Sequence, residues 1–117
     1  MIATTNQLKI YLIIAPQDLR KSFNGLGALV ESDHAHKLSD CALYLFTNKT
    51  RTRLKLLQFD GTGLWCAVKR LEQGNFSWPK ASEDNQTLLS ITHRALQLII
   101  DGVQLRDGSL KPWYEGK

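Results

Sequence analysis

Residues 53–70 read as two β-strands around a short turn, and this hairpin constrains the fold more than any other part of the chain. The turn is expected at residues 60–63, because the Asp-Gly-Thr-Gly sequence there supplies glycines that tight hairpin connections favour. Apolar side chains fall on both faces, which predicts a central hairpin within a sheet rather than a flap in solvent. The expected register pairs Phe59 with Leu64, Leu57 with Cys66, Lys55 with Val68 and Arg53 with Arg70.

Positive charge is concentrated in the same hairpin. Residues 49–70 hold six cations against one carboxylate, in a chain whose total net charge is +4. A localised basic ribbon indicates an anionic partner more strongly than the same charge spread over the whole surface. An anion between Arg53 and Arg70 would relieve the repulsion that their facing positions predict. The basic residues of the ribbon are Lys49, Arg51, Arg53, Lys55, Lys69 and Arg70.

Two other interpretations of the ribbon remain open. Glu72 could neutralise Arg51 across the hairpin, and cations on an edge strand also serve simply to prevent aggregation. A solvated edge or a protein interface would then take the place of a nucleic-acid contact.

A second cationic candidate lies at the start of a predicted helix. Apolar residues at helical spacing predict this helix over residues 18–32, with Asp18 at the N-cap. Arg20 and Lys21 would lie in its first turn, where a helix N-terminus and two cations suit a phosphate. In the alternative interpretation Asp18 only caps the helix, Arg20 pairs with an acid and Lys21 is solvated.

Aromatic side chains lie among these cations. They could stack on bases, as aromatic residues do in proteins that bind single-stranded nucleic acid, or they could simply fill the core. We expect Trp65 to lie in the core, whereas Trp78 precedes Pro79 in a predicted loop and remains a nucleic-acid candidate.

Metal and catalytic sites are less well supported. Asp18, Asp60 and Glu72 could hold a metal for phosphodiester chemistry only if folding brought them together. His34 and His36 could bind one metal, but no further cluster completes that site. We therefore expect no catalytic residue, no metal and no cofactor.

The remaining segments complete the predicted fold, which is α+β in a single domain spanning residues 1–117, with an irregular tail over 103–117. We expect an antiparallel sheet of about four or five strands packed against two helices. The second helix is expected over 91–101, with Ser90 as a possible cap and Gly102 at its C-terminal end. The predicted strands are 9–15, 41–47, 53–59 and 64–71.

Composition is ordinary for a globular protein, with 43% hydrophobic and 22% charged residues. The apolar stretch at 10–15 is too short to cross a membrane and lacks the features of a signal peptide. We therefore expect a cytoplasmic protein without a membrane partner. Cys41 and Cys66 are expected to be buried thiols rather than a disulfide.

Three segments resemble one known family. They are DLRKSFNGL at 18–26, RLKLL running into FDGTGL at 53–64, and KRLEQGNFSWP at 69–79. In order and spacing, over roughly residues 8–80, they are similar to the TnpB-type second-open-reading-frame protein of the insertion sequence sixty-six family. The chain has Asn24 where the family usually has Asp and Ser22 where it often has Gly, and residues 81–117 match weakly. No role for a carboxylate at position 24 is therefore carried over.

The resemblance implies a bacterial mobile-element protein that is encoded beside a larger transposase and is needed for efficient transposition. It does not supply a reaction. Together with the charge pattern it predicts a non-catalytic accessory protein that assists the transposase by contacting DNA through the basic hairpin. The alternatives are a module that binds the transposase without contacting DNA and a metal-dependent nuclease. The predicted nucleic-acid-binding residues are Arg20, Lys21, Lys49, Arg51, Arg53, Lys55, Lys69, Arg70 and Trp78.

Overall fold

The computed structural model describes residues 9–20, 25, 26, 28, 42–80 and 87–103. In this part of the chain, five strands form one sheet and a single α-helix follows them. The elements are β1 at Ile10–Ile13, β2 at Leu43–Thr47, β3 at Arg53–Phe59, β4 at Leu64–Arg70, β5 at Leu88–Ile91 and the helix α1 at His93–Ile100.

The sheet is mixed, with the strand order β4-β3-β2-β1-β5. Strands β1 and β2 pair in parallel, and every other neighbouring pair is antiparallel. The prediction of a purely antiparallel sheet was therefore wrong. Residues 14–42 join β1 to β2 and are long enough for the crossover of about a dozen residues or more that a parallel pair requires.

The hairpin has the predicted register, including the facing pairs Phe59 with Leu64 and Arg53 with Arg70. Its position is not the predicted one, because among the described strands β4 lies at the edge of the sheet and pairs with β3 alone. Most of β4 is exposed, and the exposed fraction of Val68 is 61%. The apolar residues on both faces of the hairpin predicted that both of its strands would be buried. This holds for β3 but not for β4.

Strand β5 and the helix boundary differ from the prediction. Residues 88–91 pair antiparallel with β1, although the sequence placed Ser90 at a helix cap and Ile91 inside the helix. The cap is Thr92, whose side chain accepts a 3.0 Å hydrogen bond from the backbone of Ala95. A strand of four residues is too short to show a periodicity that competes with the adjoining helical pattern. Gly102, with φ 76°, follows the helix as expected for a C-terminal cap.

The other predicted helix, over 18–32, falls largely outside the described residues. Gly25, Leu26 and Ala28 have helical backbone, whereas residues 19 and 20 form a turn and Asp18 has no regular structure. Lys21, Cys41 and the tail beyond Val103 also lie outside the described residues. The described part of the chain contains no helix long and apolar enough to cross a membrane.

Two apolar layers cover the interior strands. On one face, α1 contributes Ala95, Leu96 and Ile99 to a cluster that includes side chains of β1, β2 and β3. On the other face, Leu26 and Leu19 pack against a second cluster around Tyr44 and its neighbours. Because β1, β2 and β3 are covered on both sides, Lys69 and Arg70 lie on the edge strand β4 and Arg53 at the end of β3, whereas Lys55 is a charged side chain buried within β3.

Candidate nucleic-acid interface

Three segments meet at the end of the sheet where β1 and β2 finish, which we call the basic end. They are the turn at 16–20, the β2–β3 loop at 48–52 and the segment at 71–78 that follows β4. The backbone N–H of Gln17 donates to the carbonyl of Thr47 at 2.8 Å, and the N–H of Phe76 donates to the carbonyl of Arg51 at 2.7 Å. Backbone hydrogen bonds therefore fix the three segments to one another.

Arg53 and Arg70 face one another at this end. The N–H of Leu71 donates to the carbonyl of Thr52 at 3.0 Å, so the two arginines occupy the adjacent non-hydrogen-bonded position. Their Cα atoms are therefore about 4.5 Å apart, with both side chains on one face. Like charges in such a position destabilise a sheet.

Little on the protein offsets this repulsion. A guanidinium nitrogen of Arg70 lies 3.6 Å from a carboxylate oxygen of Glu72, but both side chains are exposed and water screens the pair. Within the described residues, no carboxylate forms an ion pair with Arg53. The facing arginines therefore present positive charge to whatever binds there.

The β2–β3 loop is organised by Asn48, which sequence reasoning did not select. Its side-chain oxygen accepts the backbone N–H groups of Thr52 and Arg53, each at 3.0 Å. Its amide nitrogen lies 3.2 Å from the hydroxyl groups of Thr50 and Thr52. The signal in the sequence is an asparagine followed by alternating threonines between two strands, because asparagine side chains commonly bond the backbone of turns. Asn48 thus holds a rigid loop that displays Lys49 and Arg51.

Arg51 adopts a left-handed backbone conformation, with φ 57°. This conformation costs roughly 1–2 kcal/mol for a residue with a Cβ atom. The loop retains it because the N–H of Arg51 donates to the carbonyl of Asn48 at 3.0 Å while its own carbonyl accepts from Phe76. Strained residues of this kind concentrate at binding and catalytic sites.

Replacing Arg51 by glycine tests whether the left-handed backbone at this position is strained. We expect Arg51→Gly to raise the free energy of unfolding by about 0.5–1 kcal/mol, because glycine adopts positive φ without steric cost. Urea denaturation followed by circular dichroism measures the change. Arg51→Ala is the matched control, since it removes the same charge but keeps the Cβ atom. Equal stabilities of the two variants would show that the backbone is not strained.

Two cations of the predicted ribbon are engaged by backbone carbonyls. The exposed fraction of Lys55 is only 9%, and its ammonium group donates to the carbonyl of Leu19 at 3.0 Å. The ammonium group of Lys69 donates to the carbonyl of Ile100 at 2.7 Å, at the C-terminal end of α1, where a cation complements the helix dipole. Lys55 therefore connects the turn at 16–20 to β3, and Lys69 connects the end of α1 to β4.

Arg20 is bound by its neighbour. Two guanidinium nitrogens of Arg20 lie 2.9 Å from the two carboxylate oxygens of Asp18. Hydrogen bonding to Asp18, together with its charge, raises the pKa of Arg20. The Arg20 N–H also donates to Asp18 at 3.0 Å, so Arg20 pairs with an acid as in the alternative interpretation, whereas the residues that Asp18 would cap lie outside the described ones. Arg20 remains almost wholly exposed, so its guanidinium is accessible at the basic end.

Of the two tryptophans, Trp65 is exposed although it was expected in the core, and Trp78, for which core and nucleic-acid contact were both open, is buried. Trp78 is buried, and its indole N–H is shared between the carbonyls of Ile13 at 3.1 Å and Ile14 at 3.2 Å. Trp65 is 44% exposed, and its indole N–H donates to Asp60 at 2.9 Å. Trp78 therefore packs in the core cluster of this structure.

The acidic residues do not converge. Asp60 accepts hydrogen bonds from Thr62 and Gly63 within the turn, and these bonds lower its pKa to about 2. Glu72 lies beyond the other end of β4, a strand that spans about 20 Å. Asp60 and Glu72 are thus too far apart to share a metal ion. Within the described ranges, no three metal-ligating side chains cluster; His34 and His36 lie outside them.

Together these residues form a small α+β protein whose mixed sheet exposes a cationic end. The chain belongs to the IS66 Orf2-like protein family, whose family model matches residues 8–109. This match confirms the resemblance and extends it beyond residue 80. Membership in this family associates the chain with transposition of an insertion sequence.

Similar chains occur in Sinorhizobium fredii (strain NBRC 101917 / NGR234). Uncharacterized protein y4jC is 29% identical over 112 residues, which cover 96% of this chain and 93% of that protein. Uncharacterized protein y4hO is 24% identical over 106 residues, which cover 91% and 90% respectively. No solved structure matches the chain significantly.

Proposed function

We propose that this protein is a non-catalytic accessory factor of an IS66-type insertion sequence and that it assists the transposase by contacting DNA through the basic end of its sheet. The observation that carries the proposal is the facing pair of Arg53 and Arg70, which lies in the close-spaced position of the hairpin. A phosphate group bound between the two guanidinium groups would convert their repulsion into attraction.

The basic end supplies several accessible cations for this contact. Lys49 and Arg51 extend from the loop that Asn48 organises, and both are exposed. Lys55 and Lys69 act indirectly in the proposal, because each holds a backbone carbonyl that positions a neighbouring segment. Trp78 acts indirectly as well, because its buried indole N–H binds the carbonyl of Ile13 at the end of β1. The residues proposed to contact phosphate groups are Arg20, Lys21, Lys49, Arg51, Arg53 and Arg70.

The salt dependence of DNA binding tests the proposal. If about four phosphate groups are neutralised, the logarithm of the association constant should fall with the logarithm of salt concentration at a slope of about −3.6. Affinity should then drop roughly 100-fold between 50 and 200 mM salt. Fluorescence anisotropy with a labelled duplex measures the slope. A slope near zero, or no binding at low salt, would reject the contact.

A second candidate function rests on the outer edge of β4. In the described part of the chain this strand has β3 as its one neighbour, and Trp65 and Val68 are exposed along it. An exposed strand edge with apolar side chains suits pairing with another protein chain, such as the transposase. Co-purification with the transposase after nuclease treatment, combined with no DNA binding by the protein alone, would favour this function.

A further inference from the structure

A cleft of about 750 Å³ opens at the basic end, on the face of the sheet that carries Arg53. Its walls are the turn at 16–20, the loop residues 48–50 and the adjoining surface of β3 and β4. The volume lies within the roughly 300–1,000 Å³ that small-molecule sites occupy. The cleft is open to solvent on one side and is large enough to hold a nucleotide, which is more than a phosphate contact on a flat surface requires.

Charged and apolar side chains line the cleft together with uncharged polar ones. Arg20, Lys49 and Arg53 supply positive charge, and Asp18 is already bound to Arg20. The apolar part of the lining is Pro16, Leu19 and Val68.

Val68 is informative because it is an exposed apolar side chain in the lining of a cationic cleft. It is 61% exposed and lies opposite Lys55 in the hairpin, on the same face as Arg53 and Arg70. An apolar side chain beside three cations contributes nothing to binding a phosphate group, but it can contact the flat face of a base. The cleft thus combines a cationic surface for a phosphate group with an apolar surface for the ring of a base.

We propose that this cleft binds an unpaired nucleotide of a DNA strand, with the phosphate groups at Lys49 and Arg53 and the base against Leu19 and Val68. In a duplex both faces of each base are covered by stacking, so only an unpaired or extruded base could enter the cleft. The inference rests on the proposed contact with DNA and specifies which form of DNA is preferred.

Binding of three labelled DNAs by the full chain tests this site. They are a blunt duplex, the same duplex with a short single-stranded overhang, and a single strand of equal length. We expect the two DNAs with unpaired bases to bind about tenfold more tightly than the blunt duplex, because a base face placed against Leu19 and Val68 removes apolar surface from water. Fluorescence anisotropy at fixed salt gives the three affinities.

Val68→Ser is the variant that tests the base contact. Val103→Ser is its matched control, because Val103 is also exposed, at 43%, but does not line the cleft. Val68→Ser should lower affinity for the overhang about fivefold and leave blunt-duplex affinity unchanged, whereas Val103→Ser should change neither. Circular dichroism confirms that both variants fold.

Two outcomes would overturn the site and remain distinguishable. Equal binding of all three DNAs, or equal behaviour of the two valine variants, rejects the nucleotide site while the proposed DNA contact stands. No binding of any DNA rejects both.

Discussion

Replacing Arg53 and Arg70 together by glutamate should abolish detectable DNA binding at physiological salt. The double substitution removes two proposed phosphate contacts and puts two carboxylates at the same close-spaced position of the hairpin. Each phosphate contact that is lost weakens binding and reduces the salt slope by about 0.9, and the new negative charges repel the DNA backbone. We expect a loss on the order of 100-fold or more, measured by fluorescence anisotropy with a labelled duplex.

A charge-matched control separates this local effect from the change in net charge. Lys9 and Arg94 are both exposed and lie at the opposite end of the sheet. Lys9 directly precedes β1, and Arg94 lies in the first turn of α1. Lys9→Glu combined with Arg94→Glu changes the net charge by the same amount. We expect this control to weaken binding only slightly, through long-range electrostatics. Equal losses in the two double variants would contradict a contact at the basic end.

The single substitution Arg53→Glu should separate stability from binding. It places opposite charges at facing positions, so the free energy of unfolding should rise by a few tenths of a kcal/mol, within the roughly 0.2–1 kcal/mol of cross-strand pairs. Affinity for DNA should nevertheless fall. Unchanged or increased affinity of Arg53→Glu for DNA would indicate that the facing arginines are not the contact.

Trp78→Ala should have the largest effect on stability. The indole ring is buried between the sheet and α1, and its N–H bonds two carbonyls at the end of β1. Loss of a buried tryptophan costs about 3–5 kcal/mol, which is a large part of the total stability of a domain of this size. Urea denaturation followed by circular dichroism at 222 nm measures it.

Two further substitutions show which property of Trp78 matters. Trp78→Phe keeps an aromatic ring but removes the N–H, and should cost about 1–3 kcal/mol because Ile13 and Ile14 lose a buried donor. Trp65→Ala is the matched control at an exposed tryptophan and should cost less than Trp78→Ala. If Trp78→Ala weakened DNA binding without changing stability, a stacking role would replace the structural one.

Local sequence patterns predicted the hairpin well. Its register, its turn and the facing arginines depend on residues close together in the chain, and the alternation of side chains fixes which of them share a face. The location of the hairpin at the edge of the sheet could not be predicted in the same way. Val68 and Trp65 look like core residues by type, but burial depends on whether another element covers them.

The parallel pairing of β1 with β2 and the small strand β5 were missed for related reasons. Strand direction is set by the path of the connection over residues 14–42, which no local pattern records. Strand β5 is four residues long and is stabilised by pairing with β1 rather than by its own sequence. Its residues therefore resembled the beginning of the helix that follows them.

The candidate site was predicted in composition but not in organisation. The sequence identified every cation of the ribbon, but it could not show that Lys55 and Lys69 are bound to carbonyls from distant segments. It also gave Asn48 no special weight, although this side chain shapes the loop that displays two of the cations.

The sequence by itself determined the hairpin, its concentration of positive charge and the family, because all three depend on residue identity and short spacing. Only the tertiary structure decided which cations face solvent and that Trp78 belongs to the core while Trp65 does not. It also brought the turn at 16–20 beside the β2–β3 loop and thereby formed the cleft. The physical reason is that solvent exposure and the pairing of charges depend on segments far apart in the chain, which meet only when the sheet forms.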